Sequence, residues 1–159
     1  MTIAIGQRIP ATTLVKVTDD GPDSVDSDTF FAGRTVALFA VPGAFTPTCS
    51  ARHLPSFVEH LAALKAKGVD EVACTSVNDA FVMKAWAKQG DAAGITMLAD
   101  GNADFATALG LSTDSSRFGM GTRSQRYSML VEDGVVTQLN VEQPGEFRVS
   151  SGDYLLGAL

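Results

Sequence analysis

The sequence predicts one α/β domain over residues 1–159, with a mixed central sheet flanked by helices. Three observations carry that expectation. Residues 35–41 form a short, nearly unbroken apolar run that stops at Pro42-Gly43, the pattern of a strand buried on both faces. After Cys49 the pattern changes to a helical period, with Leu54, Phe57, Val58, Leu61 and Leu64 at three- and four-residue spacing. Further on, two strand-like runs, residues 125–131 and 135–141, flank Glu132-Asp133-Gly134, and Asp-Gly between such runs signals a hairpin.

Taken in order, residues 12–17 read as a first strand and residues 19–28, rich in Asp, Ser, Gly and Pro, as a polar turn region. Residues 35–41 are the next strand. Residues 49–67 read as one helix, stopped by Gly68 and kinked at Pro55, which lacks an N–H and clashes with the preceding turn. Residues 72–77 (Val-Ala-Cys-Thr-Ser-Val) are another buried strand, after which Asn78 or Asp79 caps a helix running through Trp86. Residues 95–98 give a further core strand, and residues 103–109 a short helix that ends at Gly110. Residues 112–122 read as an irregular loop, and residues 153–159 as a short closing helix. Trp86, Phe81 and Phe57, at helical spacings, read as core. This order of strands, helices, hairpin and last helix resembles the thioredoxin fold, and a fold alone does not settle function.

Composition excludes several function classes. Hydrophobic residues make up 45% and charged ones 19%, so the chain is neither disordered nor a coiled coil. Twelve Lys and Arg against eighteen Asp and Glu give a formal charge of −6. Such a surface repels phosphate backbones and anionic lipid, so neither nucleic acid nor a membrane is expected as a partner. No apolar run approaches the roughly 18 residues of a membrane span, and residues 1–8 lack the basic start and apolar stretch of a secretory signal. Two cysteines are too few for a disulfide scaffold or a four-cysteine metal site. The expectation is a reducing, cytoplasmic setting, where a cysteine is catalytic, redox-active or merely buried.

The informative stretch is residues 41–50, Val-Pro-Gly-Ala-Phe-Thr-Pro-Thr-Cys-Ser. It joins a buried strand to a helix, so Cys49 falls in the helix's first turn, where free N–H groups and the positive end of the macrodipole favour a thiolate. That placement is one way to bring a cysteine pKa from about 8.5 toward neutrality. Pro42 and Pro47 stiffen the loop, and Thr46, three residues before Cys49, can turn its hydroxyl toward the same spot. The bland alternative is an ordinary loop whose cysteine serves as a small hydrophobe. His53 follows Cys49 by four residues, a spacing at which a Cys–His pair could bind metal or act as nucleophile and base. Two histidines and two cysteines supply too few ligands for a metal, so His53 and His60 read as solvated helix positions. A protonated His53 tuning Cys49 is the other reading.

The spacing Pro42-x-x-x-Thr46-x-x-Cys49 resembles the active-site signature of peroxiredoxins, and the fuller stretch through Ser50 resembles their type-II, peroxiredoxin-five-like group. Residues 76–86, 98–101 and 126–134 agree with the same group in the right order. The resemblance implies a thiol peroxidase with no metal or organic cofactor, acting on hydrogen peroxide and small organic hydroperoxides. Cys49 would be the peroxidatic cysteine, passing through a sulfenic acid. Thr46 would hold peroxide and thiolate, Pro42 would shield the site, and the N–H groups of Thr48 and Cys49 would complete the cradle. The family's essential arginine maps onto Arg126, beside Tyr127-Ser128-Met129. Arg117 and Arg123 lie close in the chain, and nothing local to the hairpin tells the three apart.

Cys74 sits mid-strand, where a structural cysteine belongs. Some type-II relatives resolve through a cysteine here. A bridge needs the two Cα atoms within about 7 Å and would require the Cys49 helix to unwind, so the buried, silent reading is preferred. Other relatives resolve through a cysteine in the stretch matching residues 145–152, which here holds serines and no thiol. The implied reductant is therefore an outside thiol, glutathione with glutaredoxin or thioredoxin. The resemblance also implies a homodimer, with Phe45, Phe118 and Met120 lining an access channel or the dimer contact. Two alternatives stand beside the peroxidase: a peroxide-sensing redox relay protein, and a non-catalytic thioredoxin-fold interaction module with an inert Cys49. A disulfide oxidoreductase is disfavoured because Thr46 stands where a Cys-x-x-Cys pair would have its first thiol.

Overall fold

The computed structural model describes residues 1–159. The chain opens with β1 (Thr13–Thr18), β2 (Gly21–Asp26), α1 (Ser27–Phe31) and β3 (Thr35–Ala40). A loop then leads into a helix that begins at Pro47, passes through a π turn at Cys49–His53 and continues as α2 (Leu54–Glu59). There follow α3 (Leu61–Ala66), β4 (Glu71–Ser76), α4 (Ala80–Gln89), β5 (Thr96–Ala99) and α5 (Asp104–Ala108). The last third holds β6 (Ser112–Asp114), β7 (Thr122–Ser124), β8 (Tyr127–Glu132), β9 (Val135–Val141) and α6 (Gly152–Gly157).

Seven strands form one mixed sheet in the order β2-β1-β5-β4-β3-β8-β9. β3, β4 and β5 run parallel at its centre, and antiparallel strands extend it on both sides. Alternation along β3 explains its unbroken apolar composition. Ala37, Phe39 and Val41 enter the core that α2, α3, α4 and α6 cover, while Val36, Leu38 and Ala40 enter the core beneath α1 and α5. The sheet thus carries helices on both faces, as expected for a thioredoxin-like domain. The β8–β9 hairpin forms where Asp-Gly foretold it, with Asp133 at φ 48° and Gly134 at φ 79°, the left-handed pair a tight hairpin turn requires. Asp79 caps α4 by accepting from the Val82 N–H at 2.8 Å.

Four expectations are corrected. Residues 19–28 are not merely a turn region: they contain edge strand β2 and the start of α1. An edge strand is paired on one side only, so it needs no alternating apolar pattern, and β2 is largely exposed. Residues 49–67 are not one regular helix. The Leu54 N–H reaches back five residues to the Cys49 carbonyl, the wider turn that accommodates Pro55, and a second break falls at His60. Residues 112–122 are ordered as β6, a 3₁₀ turn at Ser116–Phe118 and the start of β7. Phe81 is 72% exposed rather than core, because the buried stripe of α4 runs through Ala80, Met83 and Trp86, leaving Phe81 on another side.

The last helix is pinned to α2 at a close approach. The Gly152 N–H donates to Ser56 Oγ at 3.0 Å, and a Cβ at Gly152 would fall on the Ser56 carbonyl with Phe57 Cα only 3.1 Å away. Replacing Gly152 by Ala is expected to cost about 1–3 kcal/mol, read as a lowered denaturation midpoint with the slope unchanged.

Candidate active site

The site forms where β3 hands the chain to the helix at Pro47. Pro47 fits the first helical position because its missing N–H has no intrahelical partner there anyway. The N–H groups of Thr48 and Cys49 lie in the same first turn and find no backbone acceptor. The Cys49 side chain points into the core, fully buried. Thr46 donates its hydroxyl proton to the Gly43 carbonyl at 2.6 Å, which leaves its oxygen's lone pairs free to accept.

The loop is tied down from three sides. The Ala44 N–H donates to Asn78 Oδ1 at 3.0 Å, and Ser76 Oγ lies 3.0 Å from the Val41 carbonyl and 2.7 Å from the same Asn78 oxygen. Trp86, buried as expected, also donates its indole N–H to Ser50 Oγ at 2.9 Å, fastening the residue after the cysteine. Arg123 donates to the Val77 carbonyl at 2.9 Å and the Met120 carbonyl at 2.8 Å. This closes the β6–β7 segment over residues 76–78.

Alternation along β8 decides which arginine reaches the thiol. Leu130 faces the same core as Phe39 and Cys49, so Ser128 and Arg126 point that way too. The Arg126 Nη2 donates to Cys49 Sγ at 3.1 Å, across 77 positions of sequence. Of the rival arginines, Arg123 is spent on backbone carbonyls and Arg117 lies over the exposed Phe118 ring at 5.1 Å.

His53 overturns its expected place on a solvated face, for it is fully buried. Its Nε2 lies 2.9 Å from the Ser150 carbonyl and its Nδ1 2.9 Å from Arg126 Nη1. A carbonyl can only accept, so Nε2 carries the proton and Nδ1 accepts from the guanidinium. Burial lowers the His53 pKa to about 3, helped by the Arg126 charge and opposed by the Ser150 hydrogen bond. A protonated His53 tuning Cys49 is thereby excluded at neutral pH. Phe39, Phe57 and Phe147 surround the ring at centroid distances of 5.0, 5.8 and 5.1 Å. Sequence reasoning singled out His53 but misplaced it, because the groups that bury it lie up to 97 positions away.

Cys74 lies in β4 on the same side of the sheet as Cys49, fully buried, and both thiols are free. Burial pushes its thiol well above the ordinary value, with a smaller push from Cys49 and an opposing one from Arg126. The structure therefore brings Cys49, Arg126 and His53 into direct hydrogen-bond contact. Pro42, Thr46 and Thr48 stand around them in the loop and first turn, with Cys74 beneath in the core.

Comparison with known proteins agrees with this geometry. The redoxin family model matches residues 4–156. The chain is 49% identical to peroxiredoxin-2E-2, chloroplastic, of Oryza sativa subsp. japonica, over 99% of this chain and 73% of that one. The chain belongs to the peroxiredoxins. It is also 46% identical to peroxiredoxin-2B of Arabidopsis thaliana, over 99% of this chain and 98% of that one. The crystal structure of reduced Prx3 from Vibrio vulnificus in complex with H2O2 superposes with a TM-score of 0.96 at 54% identity, covering 99% of each chain. As an atypical, five-like peroxiredoxin it is a thiol-dependent peroxidase of the oxidoreductase class, and the inert interaction module is set aside.

The neutral, buried His53 makes this peroxiredoxin acid-sensitive. The unfolded histidine takes up a proton near pH 6.5, whereas the folded one does so only near 3. Across that window the unfolded chain binds a proton the native one refuses, so stability falls as pH falls, by about 1.4 kcal/mol per pH unit at most. Denaturant midpoints measured from pH 6.5 down to 5.5, above the ordinary carboxylate range, should decline in the wild type and decline less in His53→Asn.

Proposed function

We propose that this chain reduces hydrogen peroxide and small organic hydroperoxides at Cys49 and is recycled by an outside thiol. The single observation that carries the reading is the Arg126 guanidinium 3.1 Å from a buried sulfur at the start of a helix. The guanidinium N–H, the macrodipole and the unpartnered N–H groups of Thr48 and Cys49 all favour negative charge at that sulfur. The thiolate attacks one peroxide oxygen, the O–O bond breaks, and sulfur is oxidised by two electrons to Cys–S–OH. The other oxygen leaves as hydroxide or alkoxide and takes a proton to become water or an alcohol. Donors set in advance along that path stabilise the charge as it moves from sulfur to the leaving oxygen. Thr46 Oγ1 serves as acceptor for the peroxide's proton, and Pro42 keeps bulk water out.

An outside thiol then attacks the sulfenic sulfur, water leaves, and a second thiol releases the mixed disulfide. The role for an outside thiol is supported by Cys74, whose burial in the central sheet and raised pKa keep it a protonated thiol rather than an attacking thiolate. Glutathione with glutaredoxin, or thioredoxin, fits that step. The same proposal places the protein in a reducing compartment, the cytoplasm, since both cysteines are free and the cycle consumes thiols. It also includes a homodimer. Phe45, Phe81 and Phe118 are 49%, 72% and 70% exposed on loops and a helix start that Asn78, Met120 and Arg123 bind together around the site. A second copy of this apolar rim is its matching partner.

Intact mass after one equivalent of hydrogen peroxide should show one added oxygen on Cys49, then an adduct when glutathione is supplied. A loss of two hydrogens within a monomer would instead identify a Cys49–Cys74 bridge and refute the outside thiol at that step. No change within seconds would refute the peroxidase. Cys49→Ser should take up no oxygen, and Arg126→Gln should slow oxidation by roughly 10²–10³-fold, read by stopped-flow. Sedimentation should show a dimer that Phe81→Asp shifts toward monomer.

A further inference from the structure

The stretch from Glu142 to Ser150 contains no residue of the peroxidase chemistry, yet it closes a ring of hydrogen bonds around it. Glu142 is buried, and its carboxylate accepts from the N–H groups of Arg148, Val149 and Ser150 and from Ser150 Oγ at 2.6–2.9 Å. Four donors on one carboxylate fold residues 148–150 into a rigid strap and keep Glu142 ionised. Burial pushes its pKa up, but the Ser150 hydroxyl and the three N–H groups outweigh that and hold it below the ordinary value. The strap aims the Ser150 carbonyl at His53 Nε2, and His53 Nδ1 receives Arg126 Nη1. The ring closes at the backbone, where the Glu142 N–H donates to the Arg126 carbonyl at 3.0 Å.

We infer that Glu142 and His53 are positioning residues that fix the Arg126 guanidinium against Cys49, acting through the Ser150 carbonyl. The inference rests on the peroxidase reading of Cys49 and Arg126. A long arginine side chain samples many rotamers, and one hydrogen bond to sulfur leaves the guanidinium plane free to rotate about it. A second N–H of the same fork, held by His53 Nδ1, sets the plane. For that the imidazole must be neutral and in one tautomer: its burial and the Arg126 charge keep it neutral against the pull of the Ser150 hydrogen bond, and the strap fixes the tautomer through a carbonyl that only accepts. Phe147, in the same strap, packs against His53 and lies 6.0 Å from the Arg126 guanidinium carbon. No carboxylate contacts the guanidinium, so none competes with the sulfur for it.

The test is a double-mutant cycle on the second-order rate of Cys49 oxidation by hydrogen peroxide, followed through the single tryptophan, Trp86. His53→Phe and Glu142→Gln should each slow oxidation by roughly 10–100-fold, the usual loss when a supporting residue of a site is removed. In the Arg126→Gln background neither should slow it further, because the group they position is already gone. His53→Asn, which keeps an acceptor in the Nδ1 position, should recover part of the loss and serves if His53→Phe fails to fold. Rate losses that multiply with that of Arg126→Gln would overturn the relay, leaving His53 and Glu142 to act on the rate independently of the arginine or, where the denaturation midpoints fall as well, as structural groups only. Equal rates for wild type and Arg126→Gln would overturn the arginine's role in peroxide reduction, and the relay with it.

Discussion

Bringing a guanidinium to a sulfur that has left water is the constraint on which the rest of the arrangement depends. A charge developing on a buried atom is expensive unless donors are already in place. Cys49 receives them from a helix's first turn and from Arg126 Nη2. The two sources come from opposite ends of the chain, so their meeting is a property of the sheet. β3 sets the helix start, β8 lies directly beside β3, and the alternation of β8 turns Arg126 inward. A change of one residue in that register would turn the arginine to the other face of the sheet.

The loop around Cys49 has little regular structure of its own, and its shape is imposed by neighbours. Asn78 and Ser76 hold it from the end of β4, Trp86 from α4, and Arg123 from the β6–β7 segment, each by a polar contact with the loop or with the residues that hold it. These contacts satisfy backbone groups that helix and sheet leave unpaired. They also make the site a joint product of several elements, which is why loops can carry chemistry while a rigid scaffold positions them.

Much of this was legible in the sequence because its signals are local. An apolar run ending at Pro-Gly marked β3, Asp-Gly marked the β8–β9 turn, and Asn78 or Asp79 marked the start of α4, where Asp79 proves to be the cap. Cys49 could be placed in a first turn from those breaks alone, and Arg126 required the family likeness. What escaped was set by distant partners or by bonding pattern. β2 lacks an apolar rhythm because it is an edge, and the π turn at Cys49–His53 is a choice of acceptor that composition does not encode. His53 looked solvated because helical spacing shows which way a side chain points, but not that residues 147–150 will cover it. Phe81 looked buried because aromaticity was weighed above its offset from the Ala80, Met83 and Trp86 stripe.

The complete burial of Cys49 has a consequence for time rather than for affinity. A peroxide is a two-oxygen molecule that needs only a narrow path past Pro42, Thr46 and Thr48, all of which are part-exposed. A reductant brought by a protein is far larger and cannot dock on a sulfur beneath that layer. On the cycle proposed above, such a reductant would reach the sulfur only through a displacement of the first helical turn, which leads into the π turn and its longer loop of backbone. Oxidation and repair would then run on separate clocks, one set by peroxide concentration and the other by the lifetime of a few hydrogen bonds. During the interval between them the oxidised sulfur would stand as a record that peroxide has passed.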